Sequence, residues 1–333
     1  MNVWLQFALC LVLIGVAGYR LSLYGDIIAE RLRLSRSWVG VVMVASVTSL
    51  PELVTGVSSV TAAQAPNIAV GDVMGSCVFN LLLIVLLDFL HRKETVYTRA
   101  RVGHVLSAGF GVVLLGFAAT NIVLAQAGMV WAVGHVGLYT PAILLLYALA
   151  MRTLFVYEQA QELPVSEAAG LGRAVTLRRA VRGYVLASVV VVAAGIWLPF
   201  VAVDLAELMG WRQSFVGTLF VATVTSVPEA VVSLAAVRIG ALDMALGNLF
   251  GSNLFNMAIL AVDDLFYLPG PLLSGISPGH AVSALAAIMM SGIAIIGLFY
   301  RAKKRVFRTV GWASLFLLTV YVLNTFLSYF FER

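Results

Sequence analysis

Ten apolar runs alternate with short polar stretches along the chain, at about 3–24, 37–62, 67–90, 102–122, 127–151, 181–205, 213–237, 242–267, 279–300 and 307–331. Each is close to the roughly 20 residues that a helix needs to cross a bilayer core. The longest polar stretch, about 152–180, holds Glu158, Glu162, Glu167, Arg173, Arg178 and Arg179 and falls between the fifth and sixth runs. The pattern therefore predicts a first five-helix half (1–151), a connecting loop (152–180) and a second five-helix half (181–333). Five is odd, so the second half enters the membrane from the opposite side. The predicted fold is an all-α integral membrane protein of ten transmembrane helices arranged as two inverted five-helix repeats, an architecture of many secondary transporters.

Within this pattern one stretch is written twice. Ser37-Trp-Val-Gly-Val-Val-Met-Val-Ala-Ser-Val-Thr-Ser-Leu-Pro-Glu52 and Ser214-Phe-Val-Gly-Thr-Leu-Phe-Val-Ala-Thr-Val-Thr-Ser-Val-Pro-Glu229 share ten of sixteen residues. About twenty residues after each comes a second matched piece, Gly71-Asp-Val-Met-Gly-Ser-Cys-Val-Phe-Asn80 and Gly247-Asn-Leu-Phe-Gly-Ser-Asn-Leu-Phe-Asn256. Each copy sets a glutamate, a proline and several hydroxyls in apolar sequence.

Composition agrees with the membrane reading: 61% of residues are hydrophobic and 11% charged, against about 25% charged in a soluble domain. The net charge of +5 is no sign of nucleic-acid affinity, because the cations lie in loops between the spans. With the N-terminus outside, eighteen of the twenty-one Lys and Arg fall on the cytoplasmic side, with Arg212 and Arg333 outside and Arg20 near the inner end of the first helix. That bias fits the positive-inside rule and supports ten spans. It places both termini outside and the 152–180 loop in the cytoplasm. Cys10 and Cys77 lie in apolar segments and suggest no disulfide framework. The first run has no basic leader or clear cleavage site and reads as a retained helix. Compact loops suggest a prokaryotic inner membrane protein, with no obligatory protein partner evident.

A carboxylate in mid-span costs about 2.5–3.5 kcal/mol on insertion scales, so it ordinarily faces protein or water and has a function. Glu52 and Glu229 lie in mid-span. On helices, Ala45, Thr48, Ser49 and Glu52 share a face, as do Ala222, Thr225, Ser226 and Glu229. Pro51 and Pro228 lack an N–H, which leaves the carbonyls of Val47 and Val224 without their helical partners. Ser76 and Asn80 share a face of the next helix, and so do Ser252 and Asn256. Hydroxyl, carboxylate and free carbonyl oxygens together suit a hard cation such as Ca2+. Two glutamates supply a charge of −2, which balances one Ca2+ or two Na+. Gly71-xxx-Gly75 and Gly247-xxx-Gly251 allow close helix approach. Taken singly, each feature has an ordinary structural reading: a proline kink, a hydroxyl bonded to its own backbone, a packing glycine. Their joint recurrence in two copies favours a cation site.

At these residues the chain resembles the sodium/calcium exchanger family, within the cation/Ca2+ antiporter superfamily, as a prokaryotic-type member. The motifs are Thr48-Ser-Leu-Pro-Glu52 with Gly75-Ser-Cys-Val-Phe-Asn80, and Thr225-Ser-Val-Pro-Glu229 with Gly251-Ser-Asn-Leu-Phe-Asn256, within 35–90 and 212–267. The resemblance implies an antiporter, not an enzyme, that needs no cofactor and carries Ca2+ and Na+ across the lipid bilayer. It implies Ca2+ ligation by Glu52 and Glu229 with the backbone of Thr48 and Thr225. It implies Na+ ligation by Ala45, Ser49, Ala222, Ser226, Ser76 and Ser252, with Asn80 and Asn256 at the central positions, and a first and sixth helix that slide across the rest. The chain departs from the family pattern at Val47 and Val224, which replace Gly, at Asn256, where exchangers often have Asp, and at Asp72 and Cys77 in the first repeat. Asp72 shares a face with Ser76 and Asn80 and reads equally as a third acid group toward the outer mouth or as a helix N-terminal acid.

Asp88 and Asp264 occupy equivalent positions in the repeats and read as solvated or capping groups rather than as a gate. The four histidines lie at or near span ends, which gives no proton relay. The alternatives on the same fold are H+ in place of Na+, or Mg2+ or Mn2+ in place of Ca2+. A channel is disfavoured by the compact site of charge −2. An intramembrane protease needs a Ser–His pair or two aspartates at matching depth, and neither is present.

Overall fold

The computed structural model describes residues 2–31, 46–91, 95–101, 103–160, 176–238, 240–301, 305–306 and 309–331. The described parts of the apolar runs fold mainly as helices: α1 Val3–Arg31, α2 Leu50–Thr61, α3 Pro66–Leu90, α4 Gly103–Gln126, α5 Tyr139–Ala160, α6 Leu177–Met209, α7 Gln213–Thr225, α8 Val227–Arg238, α9 Leu242–Phe266, α10 Gly279–Tyr300 and α11 Trp312–Phe331; the first part of the run 37–62 lies outside the described residues. Among the described residues, eight helices are long and apolar enough to cross a membrane, and nine if the bent pair α7 and α8 is one span. This is an integral membrane protein whose spans are helices, each of which satisfies its own backbone groups without water.

Two predicted spans begin later than hydropathy suggests. The run 127–151 starts not as helix but as a hairpin, β1 Ala132–Val133 against β2 Val136–Gly137, and α5 follows. Gly128 and Gly134, with φ of +76° and +65°, turn the chain there at little steric cost. The run 307–331 likewise opens on β3 Arg305–Val306 paired with β4 Val310–Gly311 before α11. Hydropathy registers apolar side chains and does not separate a tight apolar turn from a helix.

Helices α3 and α9 form the centre, with 67% and 78% of their span residues buried against 22% for α5. They pack on each other. Around α3 stand α7, α10 and α11, and around α9 stand α2, α4 and α5. Helices α1 and α6 pack together and lean on α8 and α2. Gly18 of α1 lies against Pro228, and Gly195 of α6 lies against Val54 and Thr55.

The predicted close approach at Gly71 and Gly75 is present. A Cβ on Gly71 would come within 2.9–3.0 Å of the backbone at Thr218, Gly217 and Ser214. One on Gly75 would overlap the Thr218 carbonyl and Ala222 Cβ. The partner segment, Val216–Val221, is a π-helical turn, a wider coil often found at functional sites. Gly75→Ala is therefore expected to cost about 1–3 kcal/mol, the usual range for overpacking against backbone. Thermal unfolding in detergent reads it, with Gly109→Ala as the control, since a Cβ at Gly109 meets nothing within 4 Å.

Asp88 and Asp264 hold the two hairpins in matching ways. Asp264 accepts from Gly137 N (2.9 Å), Thr140 Oγ1 (2.5 Å), Tyr139 Oη (2.5 Å) and Leu272 N (2.7 Å). Asp88 accepts from Gly311 N (2.6 Å), Ser314 Oγ (2.7 Å) and Val96 N (3.0 Å). Both are fully buried. Of the two readings from sequence, capping stands and solvation does not, because the hairpins fold over these helix ends and turn amides onto them.

Candidate cation site

The bend between α7 and α8 is 44°, and the residue at the break is Ser226, at φ −86° and ψ 7°. Ser49, which precedes α2, has nearly the same backbone, φ −86° and ψ 13°. Both breaks lie just before the Pro-Glu pair, where a proline ring cannot complete the preceding helix. They set Glu52 and Glu229 in the first turns of α2 and α8. The Val224 carbonyl, expected to be free, shares the Ser226 N–H with the Ala222 carbonyl, because the chain closes a tight turn at the bend.

The two copies cross. Ser49 Oγ, from the first, donates to Glu229 Oε1 of the second at 2.9 Å. Ser226 Oγ, from the second, donates to Glu52 Oε1 of the first at 3.2 Å. The threonines cross too: Thr225 Oγ1 donates to Asp72 Oδ1 at 2.7 Å, and Thr48 Oγ1 donates to Asn248 Oδ1 at 3.3 Å. Ser252 Oγ donates to Glu229 Oε1 at 3.2 Å, and Ser76 Oγ lies 3.0 Å from Ser226 Oγ. All of these side chains are buried.

The asparagines close the far side. Asn80 Nδ2 donates to Asn253 Oδ1 at 3.0 Å, and Asn253 Nδ2 donates to the Cys77 carbonyl at 3.1 Å. Asn256 Nδ2 makes a weaker contact of 3.8 Å with Cys77 Sγ. With the amide nitrogens so used, the oxygens remain. Glu52 Oε2, Glu229 Oε2, Asp72 Oδ2, Asn80 Oδ1 and Asn256 Oδ1 are all buried and have no hydrogen-bond partner among the described residues. A buried polar atom ordinarily has a partner, and leaving one unpaired costs about 1–3 kcal/mol. The five unpaired acceptors are all oxygen, three on acid groups and two on amides, the kind of donor that a hard cation takes.

Of the residues expected from sequence, twelve are described: Thr48, Ser49, Glu52, Asp72, Ser76, Asn80, Ala222, Thr225, Ser226, Glu229, Ser252 and Asn256. Ala45 lies outside the described residues. Ala222 is buried at the edge of this set, and its carbonyl accepts from Ser226 N at 3.1 Å and Thr225 Oγ1 at 3.3 Å. Asp72 is no helix N-terminal acid. It is the seventh residue of α3 and faces Thr225 of the other half. Nothing in the helical-face argument points to Asn248 and Asn253. They are the counterparts of Asp72 and Cys77 in the aligned repeats, and that alignment was the signal for them.

Comparison with known proteins bears on the fold and the family. The inner membrane protein YrbG of Escherichia coli (strain K12) is 26% identical over 262 residues, 79% of each chain. The sodium/calcium exchanger MaX1 of Methanosarcina acetivorans is 48% identical over 63 residues, 19% of this chain and 18% of its own. The solved structure of an H+/Ca2+ exchanger, CAX, superposes with a TM-score of 0.73 at 14% identity, covering 100% of this chain and 87% of its own. At that identity the likeness shows the fold alone. The model of the sodium/calcium exchanger protein family matches residues 2–156 and 180–330, so the serines traded across a pair of glutamates stand here in a chain that belongs to the sodium/calcium exchanger family.

Proposed function

We propose that this chain is a secondary antiporter that exchanges Na+ for Ca2+ by alternating access. The observation that carries the reading is the crossed pair Ser49–Glu229 and Ser226–Glu52, with an unpaired oxygen on each glutamate. Neither half of the chain completes the site alone. Ca2+ takes Glu52 and Glu229 with oxygens of Thr48 and Thr225. Na+ takes Ser49, Ser226, Ser76 and Ser252 with Ala222 and with Ala45, which lies outside the described residues. Asn80 and Asn256 complete the centre. One Ca2+ or two Na+ neutralise the two glutamates, so the loads exclude each other and the empty carrier is disfavoured. That is the condition for exchange.

In this reading the chain has ten transmembrane helices in two inverted halves, 1–151 and 181–333, joined by the cytoplasmic 152–180, whose two ends are helical because α5 runs on to Ala160 and α6 starts at Leu177. Both termini lie outside a prokaryotic inner membrane. The paired contacts of Asp88 and Asp264 and the crossed threonines support two halves of one design. Helices α1 and α6 move as the sliding pair, with Gly18 seated against Pro228 and Gly195 against Val54 of the motif helices. The alternative is H+ coupling on the same site, which the likeness to the fold of an H+/Ca2+ exchanger leaves open, or transport of Mg2+ or Mn2+.

Radiolabelled Ca2+ uptake into Na+-loaded proteoliposomes tests the reading. Uptake driven by outward Na+ supports it. Uptake driven only by a pH gradient would keep the site and replace the coupling ion. No Ca2+ movement under either gradient would reject a Ca2+ carrier.

Asp72 is tested separately. Asn248 shows that an amide accepts the equivalent threonine hydroxyl, so Asp72→Asn removes a charge and keeps the hydrogen bond. If Asp72 is a third acid group of the site, the apparent Ca2+ affinity in the uptake assay falls by roughly tenfold, the effect of about 1.4 kcal/mol. Unchanged affinity rejects that role.

A further inference from the structure

Asp263 stands apart from this network. It is fully buried near the end of α9, and neither carboxylate oxygen has a hydrogen-bond partner among the described residues. Its neighbour Asp264 is saturated by the hairpin and the Leu272 amide. The counterpart of Asp264 in the first half is Asp88, with matching contacts. The counterpart of Asp263 is Leu87, buried and apolar. The repeat therefore accounts for Asp264 and does not account for Asp263.

The carboxylate of Asp263 rests on Gly56 of α2, where a Cβ would stand 2.5 and 2.6 Å from its two oxygens. Only a glycine leaves room for the carboxylate there. Gly56 lies one turn beyond Glu52 on the same helical face, about 6 Å along the axis. Asp263 lies two turns beyond Asn256 on its own helix. It therefore belongs to the same two helices as the central site, displaced toward the ends marked by Thr61 and Phe266. Among the described residues, the acidic side chains Asp72 and Asp264 lie within electrostatic reach of it, and negative groups nearby favour a cation there.

A buried, unpaired carboxylate is neutralised either by its own proton or by a bound cation, and the binding test below separates the two. A divalent ion on a single carboxylate would leave a buried positive charge, which is costly. A monovalent cation leaves none, and carboxylate oxygen is a hard ligand. We propose that Asp263, seated against Gly56, holds a monovalent cation of the Na+ class at a position one helical turn from Glu52 and separate from the Glu52–Glu229 pair. The identity of the cation rests on the Na+/Ca2+ reading above.

The test is equilibrium binding of 22Na+ to the purified full-length chain in nanodiscs, counted per protein for wild type, Asp263→Asn and Gly56→Ala, with Glu52→Gln for comparison. Asp263→Asn removes the charge at constant volume. Gly56→Ala displaces the carboxylate without removing it, and serves if the first variant does not elute as a monodisperse peak. The expected result is one bound Na+ fewer per chain in either variant, with a smaller loss of Ca2+ binding than in Glu52→Gln. An unchanged Na+ count in both variants would overturn the proposal and make Asp263 a protonated structural acid. A wild-type chain that binds Ca2+ but no Na+ would overturn it together with the Na+ reading, and that outcome is separable from the first.

Discussion

Replacing Glu52 or Glu229 by Gln is expected to lower Na+-driven Ca2+ uptake by roughly 100-fold or more. The side chain keeps its shape and an oxygen to accept the serine of the other half, so the crossed network survives and the lost charge is what is measured. Without it, a bound Ca2+ retains one uncompensated positive charge in a buried site. Two unit charges 4 Å apart interact by about 4 kcal/mol at an effective dielectric of 20, and every 1.4 kcal/mol is tenfold in affinity. Relaxation of neighbouring dipoles recovers part of this, which sets the expectation nearer two orders of magnitude than three. The two variants should behave alike, because each glutamate has one oxygen held by the opposite serine and one unpaired. Uptake retained at near wild-type rates in both variants would remove the glutamates from the site.

Asp264→Ala is expected to be the most destabilising single change outside the site. It strands the amides of Gly137 and Leu272 and the hydroxyls of Tyr139 and Thr140 at once. Each unsatisfied buried donor costs about 1–3 kcal/mol. Allowing two of the four to find other partners leaves a loss of about 4 kcal/mol, in the range where a single substitution is exceptional. The folded yield and the midpoint of thermal unfolding in detergent read it. Asp88→Ala, which strands three donors, should follow with a smaller loss. If Asp264→Ala unfolds like wild type but transports differently, the residue is a gate and not a clasp for the hairpin.

The membrane helices and the chemistry of the site were legible in the sequence for different reasons. Hydropathy marks apolar length, so most spans were located to within a few residues, while the short hairpins before α5 and α11 were absorbed into their neighbours. The site was legible because it is written twice: Thr-Ser-x-Pro-Glu and Gly-Ser-x-x-Phe-Asn carry little weight singly, and their recurrence pointed to Glu52 and Glu229 together. The pairing across copies was not legible. One-dimensional spacing shows which residues share a helical face, and it does not show that Ser49 serves Glu229 rather than Glu52. Asp72 was visible as an acid in apolar sequence, but its partner Thr225, in the opposite half, was not. Asp263 is not legible in the sequence because it follows an apolar stretch beside Asp264, and nothing in the doublet tells the clasped carboxylate from the unpaired one.

The central claim is that one buried site, shared by the two halves, takes Ca2+ and Na+ in turn. Equilibrium binding of radiolabelled Ca2+ to the purified chain, titrated with Na+, tests it most directly. The account predicts Ca2+ displaced competitively by Na+, with a dependence on Na+ steeper than first power, and binding lost in either Glu52→Gln or Glu229→Gln. Ca2+ binding that is indifferent to Na+, or that persists when both glutamates are replaced, would contradict it.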